Sequence, residues 1–194
     1  MNRKTLVLAA LPAAAILALT GCGSDSDAAG HAHTSSHVSV HTEQDVAFAQ
    51  GMIPHHQQAI TMARLAAAHA GSAQVKELAA RIEGAQRPEI TTMTRWLRAW
   101  GATTTMPGMD MSGMDMGDMP GMMSGAEMKQ LSRADGAEFD RLFLRGMITH
   151  HRGALAMARD EIARGKNSDA TALAERIRAA QAREITLMHR LLTS

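Results

Sequence analysis

Residues 48–64 read FAQGMIPHHQQAITMAR, and residues 143–159 read FLRGMITHHRGALAMAR. Downstream of each, LAARIEGAQRPEITTMTRWL at 78–97 is matched by LAERIRAAQAREITLMHRLL at 173–192, with the same offset of 95 residues. Over the 50 positions that the two copies span, 23 are identical. The chain therefore contains one two-helix unit written twice, and this repeat decides the fold.

The repeat keeps metal-binding types of side chain at matched places. Helix formation does not require His, Glu or Met at fixed positions, because many other residues form helices equally well. Their recurrence therefore predicts a paired metal site inside the protein. The predicted ligands are Met52, His55, His56, Met62, Glu89 and Met93 in the first copy, and Met147, His150, His151, Met157, Glu184 and Met188 in the second.

The chain lacks clear strand signals and is rich in the helix formers Ala, Leu, Arg, Gln, Glu and Met. Capping residues and glycines divide it into a short helix, which starts with a capping box at 124–127, and four long helices. The long helices are predicted at about 43–70, 72–100, 136–164 and 168–192. Short turns within each copy make the predicted fold all-α, a four-helix bundle of two helical hairpins related by a pseudo-twofold axis.

Helical periodicity places Glu89 on the apolar face of its helix, and Glu184 takes the matching place. A buried carboxylate without a partner is costly, so we expect the polar residues of the repeat to meet one another in the bundle. An ion pair with a neighbouring arginine, such as Arg64 or Arg159, is the alternative.

Two prolines distinguish the copies. Pro54 and Pro88 lie inside helices of the first copy, where Thr149 and Arg183 stand in the second. A proline removes a backbone hydrogen bond and is expected to kink its helix. The two halves of the site are then unequal, or the kinks are tolerated without consequence, and the sequence leaves both open.

Imidazole and thioether ligands together indicate a soft metal. Thioether sulfur prefers Cu(I) or Ag(I), whereas imidazole also accepts Cu(II). We therefore predict copper, with Cu(I) favoured and with Cu(II) and Ag(I) as alternatives. Since imidazole binds metal only when neutral, we expect the His-containing sites to lose affinity as the pH falls through about 6.5. For Met62, Met93 and their mates, plain core packing is the alternative, because Met is a common gap filler.

The connection between the hairpins, residues 102–128, is rich in methionine. From residue 106 it reads MPGMDMSGMDMGDMPGMMSGAEM, with Gly, Pro and Asp between the methionines. Several thioethers of such a chain can wrap one Cu(I) ion. A low-complexity linker is the alternative. The predicted secondary ligands are Met106, Met109, Met111, Met114, Met116, Met119, Met122, Met123 and Met128.

The first 21 residues are typical of a lipoprotein signal peptide. Arg3 and Lys4 precede a short apolar run, and the segment that ends in Cys22 resembles a bacterial lipobox. We expect cleavage before Cys22, lipid on its sulfur, and an extracytoplasmic position anchored to the cell membrane. An ordinary secretion signal is the alternative. Cys22 is the only cysteine, which excludes an intramolecular disulfide and a thiolate cluster.

A flexible tether is predicted at residues 22–41, and the helical domain at 42–194, with hairpin repeats at 43–101 and 136–194. Four histidines of the tether either bind metal loosely or belong to a polar spacer: His31, His33, His37 and His41. The formal net charge is +1, and the chain has three Phe, two Trp and no Tyr. With neither a phosphate-neutralising stripe nor a stacking platform, we expect no nucleic-acid binding.

The combined motif resembles a known family. Asp-x-x-Phe-x-x-Gly-Met-Ile-x-His-His, Ala-x-x-Met-Ala and Gln-x-x-Glu-Ile-x-x-Met occur in both copies, within residues 43–194. They are similar to the exported family called domain of unknown function 305. The resemblance implies a ferritin-like four-helix bundle and, for some members, copper binding and copper resistance. It also adds Asp45 and Asp140 to the predicted secondary metal ligands.

We predict a lipid-anchored protein without enzymatic activity that buffers copper outside the cytoplasmic membrane, or passes it to another copper-handling protein, in copper tolerance. Two alternatives stay open. The first is a structural or sensory lipoprotein that binds no metal. The second is a ferritin-like di-iron oxidase, which would need Glu-x-x-His motifs that this sequence does not contain.

Overall fold

Five helices are observed in the computed structural model, which describes residues 40–104 and 119–193. They are α1 Glu43–His69, α2 Ala73–Ala99, α3 Gly125–Leu131, α4 Gly136–Arg164 and α5 Ser168–Leu191. Each long helix agrees with its predicted range to within one residue at either end. The all-α fold is confirmed, and the described residues belong to one compact unit.

Local capping interactions set where the helices begin. Thr42 donates its backbone N–H and its hydroxyl to the Asp45 carboxylate, at 2.6 and 2.7 Å. Ser124 and Glu127 form the predicted capping box of α3. The side chain of Asn167 accepts an N–H from the first turn of α5. Because the first N–H groups of a helix have no acceptor within the helix, these side chains determine the boundaries.

The helices continue through their prolines. Pro54 and Pro88 lie inside α1 and α2 without ending either helix. The kinks predicted there, and any inequality that they impose on the two halves, stay predictions. Within the two described ranges, no helix combines the length and the apolar character that crossing a membrane requires.

The two hairpins meet mainly through α1 and α4. Helix α1 packs on α2, and α4 packs on α5. The start of α1 lies beside the end of α4, where Asp45 bonds Asn167, and the end of α1 lies beside the start of α4, where Ala70 and Gly136 form a backbone bridge. Helices α1 and α4 are therefore antiparallel, as a pseudo-twofold axis through their crossing requires.

The apolar core is divided into two clusters by this crossing. One cluster contains the second half of α1 and the first half of α4, with Met62, Leu78 and Phe143. The other contains the first half of α1 and the second half of α4, with Phe48 and Ile177. Between the clusters the fully buried side chains are polar, namely His55, His56, His150 and His151. We call these four residues the histidine layer.

Asp45 and Asp140 occupy matched places, and each binds the turn of the opposite hairpin. Asp45 accepts the two N–H groups of the Lys166–Asn167 turn at 3.1 and 2.8 Å. Asp140 accepts the two N–H groups of the Gly71–Ser72 turn at 3.1 and 2.8 Å. The carboxylates thereby tie the hairpins together at both ends of the α1–α4 contact. Metal binding by these two aspartates stays a prediction.

Candidate metal centre

His55 and His150 contact each other at the middle of the bundle. Their ring centroids are 3.7 Å apart, the rings are tilted by 38°, and both side chains are fully buried. The crossing of α1 and α4 thus joins the two copies in one pair. Within the described residues, no nitrogen of either ring has a hydrogen-bond partner. An unsatisfied buried polar group costs about 1–3 kcal/mol, which makes these nitrogens candidate metal ligands.

Burial keeps this pair of imidazoles neutral. Desolvation, together with repulsion from the nearby His56 and His151, lowers the pKa of His55 to about 3. Desolvation likewise lowers the pKa of His150 well below its ordinary value. The expectation of a titration near pH 6.5 is therefore wrong for His55 and His150, because it used the pKa of a solvated imidazole. The neutral ring is the form that binds metal.

His56 and His151 each contact a glutamate of the neighbouring helix. Nε2 of His56 lies 2.7 Å from Oε2 of Glu89, and Nε2 of His151 lies 2.6 Å from Oε2 of Glu184. The carboxylates do find partners inside the bundle, and Arg64 bonds a different glutamate. Nδ1 of each ring has no partner among the described residues. A ring held by a carboxylate on one nitrogen and free on the other is arranged as metal-ligating histidines are.

The repeat methionines flank the histidine layer on both sides. Met52 and Met93 pack in the cluster that contains Phe48, and Met147 and Met188 pack in the matched cluster. Of the six methionines predicted as ligands in the two copies, Met157 is partly buried. The other five are fully buried: Met52, Met62, Met93, Met147 and Met188. The structure shows their packing, and ligation by these thioethers stays a prediction.

The last residues of the Met-rich link lie against the histidine layer. The N–H of Met123 donates to Oε1 of Gln58 at 2.8 Å, and Nε2 of Gln58 donates to the carbonyl of Met123 at 2.7 Å. The backbone of Pro120 lies close enough to His55 to oppose, slightly, the lowering of its pKa. We call Pro120–Met123 the strap.

The remaining predicted ligands are distributed as follows. Met122 is buried in the strap, Met119 precedes the strap and is partly exposed, and Met128 packs from α3 against the core. His41 stacks on Trp100, the residue after α2, with ring centroids 4.9 Å apart. Outside the described residues lie Cys22, His31, His33, His37, Met106, Met109, Met111, Met114 and Met116.

Two departures from the repeat mark the place where the strap crosses. Gln58 is matched by Gly153, and Pro54 is matched by Thr149. A Cβ on Gly153 would lie 2.1 Å from the carbonyl oxygen of Pro120, so this position admits only glycine. Sequence reasoning looked for identical positions and missed Gln58 and Gly153. The signal in the sequence was that these two matched positions carry different residues. A single segment that crosses a twofold axis cannot contact both halves in the same way.

The donors at the centre suit a soft ion. As they are placed, the His, Cys, Asp and Glu side chains of 40–104 and 119–193 form no group of three or more that could hold one metal ion. The imidazoles meet in a pair, and thioethers fill the clusters on either side. Neutral nitrogen and sulfur ligands in small number are the set that Cu(I) and Ag(I) accept.

Residues 45–192 match the family model described as domain of unknown function DUF305. The chain belongs to the DUF305 family. A DUF305 protein from Streptomyces coelicolor, described as a candidate secreted protein, is 35% identical at a TM-score of 0.71, over 77% of this chain and 92% of that one. A DUF305 fragment from Deinococcus radiodurans is 33% identical at a TM-score of 0.69, over 78% and 97%. The comparison with curated proteins gave no match.

A further DUF305-like structure is that of CopM, which has been solved in metal-bound forms. Its Cu(II)-bound form is 32% identical at a TM-score of 0.64, over 77% of this chain and 95% of that one. Its Cu(I)-bound form is 30% identical at a TM-score of 0.62, over the same shares of both chains. CopM has also been obtained with silver bound.

Proposed function

We propose that this protein is an extracytoplasmic copper-binding protein whose histidine layer holds Cu(I). The observation that carries the proposal is the buried pair of His55 and His150, whose ring nitrogens have no partner among the described residues. CopM, similar in sequence and fold, has Cu(I)-, Cu(II)- and Ag-bound forms, which supports the choice of metal. The same ligands suit Ag(I) as well as they suit Cu(I), and they suit Cu(II) less well.

Each part of the centre has its own role in this proposal. His55 and His150 are the primary ligands, and thioethers of neighbouring methionines supplement them. Glu89 and Glu184 orient the other two histidines through Nε2. Carboxylate partners of this kind hold a ring in the ligating tautomer and raise its basicity.

The protein binds and does not catalyse: it buffers copper, or transfers it to another copper-handling protein, in copper tolerance. The signal peptide and the secreted description of the Streptomyces coelicolor relative support a position outside the cytoplasm. Lipid on Cys22 would hold the protein at the membrane surface. The Met-rich link supplies a second set of thioethers for Cu(I).

The test replaces both central histidines. In His55→Leu with His150→Leu, leucine fills much of the imidazole volume and offers no ligand, so helical content should persist while Cu(I) affinity falls by at least about a hundredfold. An anaerobic competition titration against a Cu(I) chelator measures the affinity, and circular dichroism measures the helix. His189→Ala, which changes an exposed histidine of α5, is the control and should titrate like the parent.

Equal Cu(I) affinity in the double variant and the parent would show that the centre is not the site. A parent protein that retains no copper or silver after loading would favour the structural lipoprotein. Iron in place of copper would favour the di-iron oxidase.

A further inference from the structure

The strap lies along the face of α4 that carries His150. A Cβ on Gly153 would lie 2.1 Å from the oxygen of Pro120, and a Cβ on Gly146 would lie 2.9 Å from Sδ of Met123. Gly146, His150 and Gly153 share one helical face, being four and then three residues apart. About 10 Å of helix separates the two glycines, and the strap reaches one with the carbonyl of Pro120 and the other with the side chain of Met123. The strap therefore passes over His150 and runs opposite to α4.

Met123 presents its sulfur to this face. Of the atoms nearest to a Cβ on Gly146, the first is Sδ of Met123 at 2.9 Å, whereas Met62 contributes only its methyl carbon at 3.4 Å. Both hydrogen bonds that hold Met123 use its backbone. These two hydrogen bonds position the thioether without involving its sulfur, so the lone pairs of the sulfur can bind an ion.

Met123 is one of the places at which the surroundings of the histidine layer approach solvent. The histidine layer is fully buried, but Met123 is 9% exposed. It lines a cleft of about 210 Å³ on the surface, beside Glu127 and Arg145. Its lining includes Met123 and none of the four histidines.

Gln58 determines where Met123 stands. Its amide bonds both the N–H and the carbonyl of Met123, in a buried position one turn along α1 from His55. The matched residue, Gly153, has no side chain and admits the backbone of the strap instead. The repeat is thus broken where the strap packs, because Gln58 bonds the backbone of Met123 on one side and Gly153 leaves room for Pro120 on the other.

We propose that Met123 is a ligand of the central ion together with His55 and His150, and that Gln58 is its positioning residue. This inference rests on the proposed function and deepens it. It predicts one asymmetric metal centre in each chain, although the two hairpins repeat. It also predicts that the bound ion is a soft monovalent cation, Cu(I) or Ag(I). Three neutral ligands leave the charge of the ion uncompensated, and burial of a divalent charge costs more than burial of a single one.

The experiment compares Met123→Leu with Met128→Leu in the full-length chain, loaded anaerobically with half an equivalent of Cu(I). Leucine replaces methionine with little change in volume, so both variants should stay folded. X-ray absorption at the copper edge should show nitrogen and sulfur neighbours in the parent and in Met128→Leu, and nitrogen alone in Met123→Leu. The affinity of Met123→Leu for Cu(I) should fall roughly tenfold to a hundredfold.

Gln58→Ala tests the positioning role. At a temperature where its circular dichroism equals that of the parent, the copper–sulfur signal should weaken and the Cu(I) affinity should fall roughly tenfold or more. A purely structural glutamine would leave both readouts unchanged, and that result would remove the role of Gln58.

The outcomes separate this inference from the proposed function. If Met123→Leu keeps the sulfur neighbour and the affinity while the His55 and His150 double variant loses copper, the Met123 ligand is wrong and the copper centre stands. If copper in the parent has sulfur neighbours only, the ion lies in the Met-rich link. The Met123 ligand and the copper centre at the histidine layer are then both wrong.

Discussion

Asp45 and Glu161 show how one unmatched residue changes the chemistry of a repeated position. Asp45 repeats as Asp140, but Glu161 stands where the first copy has Ala66, and both acids are fully buried. Burial, together with the hydrogen bond and the repulsion between Glu161 and Asp45, raises the pKa of Glu161 to about 8. Burial also opposes ionisation of Asp45, yet hydrogen bonds, led by that from Thr42, lower its pKa to about 2. At neutral pH the pair therefore holds one proton, on Glu161.

Glu161→Gln is expected to remove a pH dependence of stability. The folded-state pKa of Glu161 is raised from 4.5 to about 8, so its stabilising proton is present below pH 4.5 and is lost as the pH rises through 8. Glutamine keeps a neutral amide beside Asp45 and does not titrate. At pH 9 the variant should be more stable than the parent by about 1–3 kcal/mol, and at pH 5 nearly equal. Urea unfolding at the two pH values measures this.

The control for this prediction is Glu138→Gln, which changes an exposed glutamate in the first turn of α4. Its stability should follow the parent at both pH values. If the free energies of unfolding of Glu161→Gln and of the parent changed equally with pH, the pKa of Glu161 would not be raised in the folded protein.

At the scale of the elements, the strap explains why two nearly identical hairpins are not interchangeable. A single segment, which turns at Pro120 and Gly121, covers the α1–α4 crossing and is bonded by Gln58 on one side. On the other side it packs on the backbone of α4, where a Cβ on Gly121 would lie 2.8 Å from the carbonyl oxygen of Thr149. Gly121 has a φ of 83°, a conformation in which other residues are strained. The copies differ because the strap meets each of them differently.

Gly153→Ala tests this packing, with Gly84→Ala as the matched control. Alanine in a helix interior is normally more stable than glycine by about 0.5–1 kcal/mol, and a Cβ on Gly84 meets nothing within 4 Å. Gly84→Ala should therefore stabilise the protein. At Gly153 the new Cβ would meet the oxygen of Pro120 at 2.1 Å, a backbone atom that cannot rotate away. That variant should lose about 1–3 kcal/mol in urea unfolding. Equal gains in the two variants would show that the strap is not held there.

At the scale of the whole molecule, the two hairpins depend on each other. Asp45 and Asp140 each satisfy the backbone of the other hairpin's turn. The contact of His55 with His150 also needs one residue from each hairpin. The histidine layer therefore exists only when both hairpins are folded together.

Lipid on Cys22, as proposed, would hold the protein at the membrane. Cys22→Ser should move the protein from the membrane fraction to the soluble extracytoplasmic fraction, because serine has no sulfur to carry lipid and each buried CH₂ contributes about 0.8 kcal/mol to membrane binding. Fractionation followed by immunoblotting measures the distribution. Ser24→Ala, two residues away, is the control and should stay with the membrane. Retention of Cys22→Ser after high-salt washing would contradict lipid attachment.

The helices, their caps and the matched places of the candidate ligands could be predicted from the sequence, because propensity, periodicity and capping act over a few neighbouring residues. Glu89 could be predicted to find a partner inside the bundle for the same reason, although the partner turned out to be His56 rather than Arg64.

Only the tertiary structure decided that the two copies form one histidine pair. The antiparallel crossing of α1 and α4 places His55 against His150, and the desolvation that lowers their pKa values follows from that contact. The hydrogen bonds of Gln58 to the strap were equally out of reach, because they join residues 65 positions apart. A repeated sequence pattern identifies the positions that the two copies share. A single segment that crosses the twofold axis contacts the two copies differently, so the repeat is broken there. Only the packing of the folded chain shows at which residues this happens.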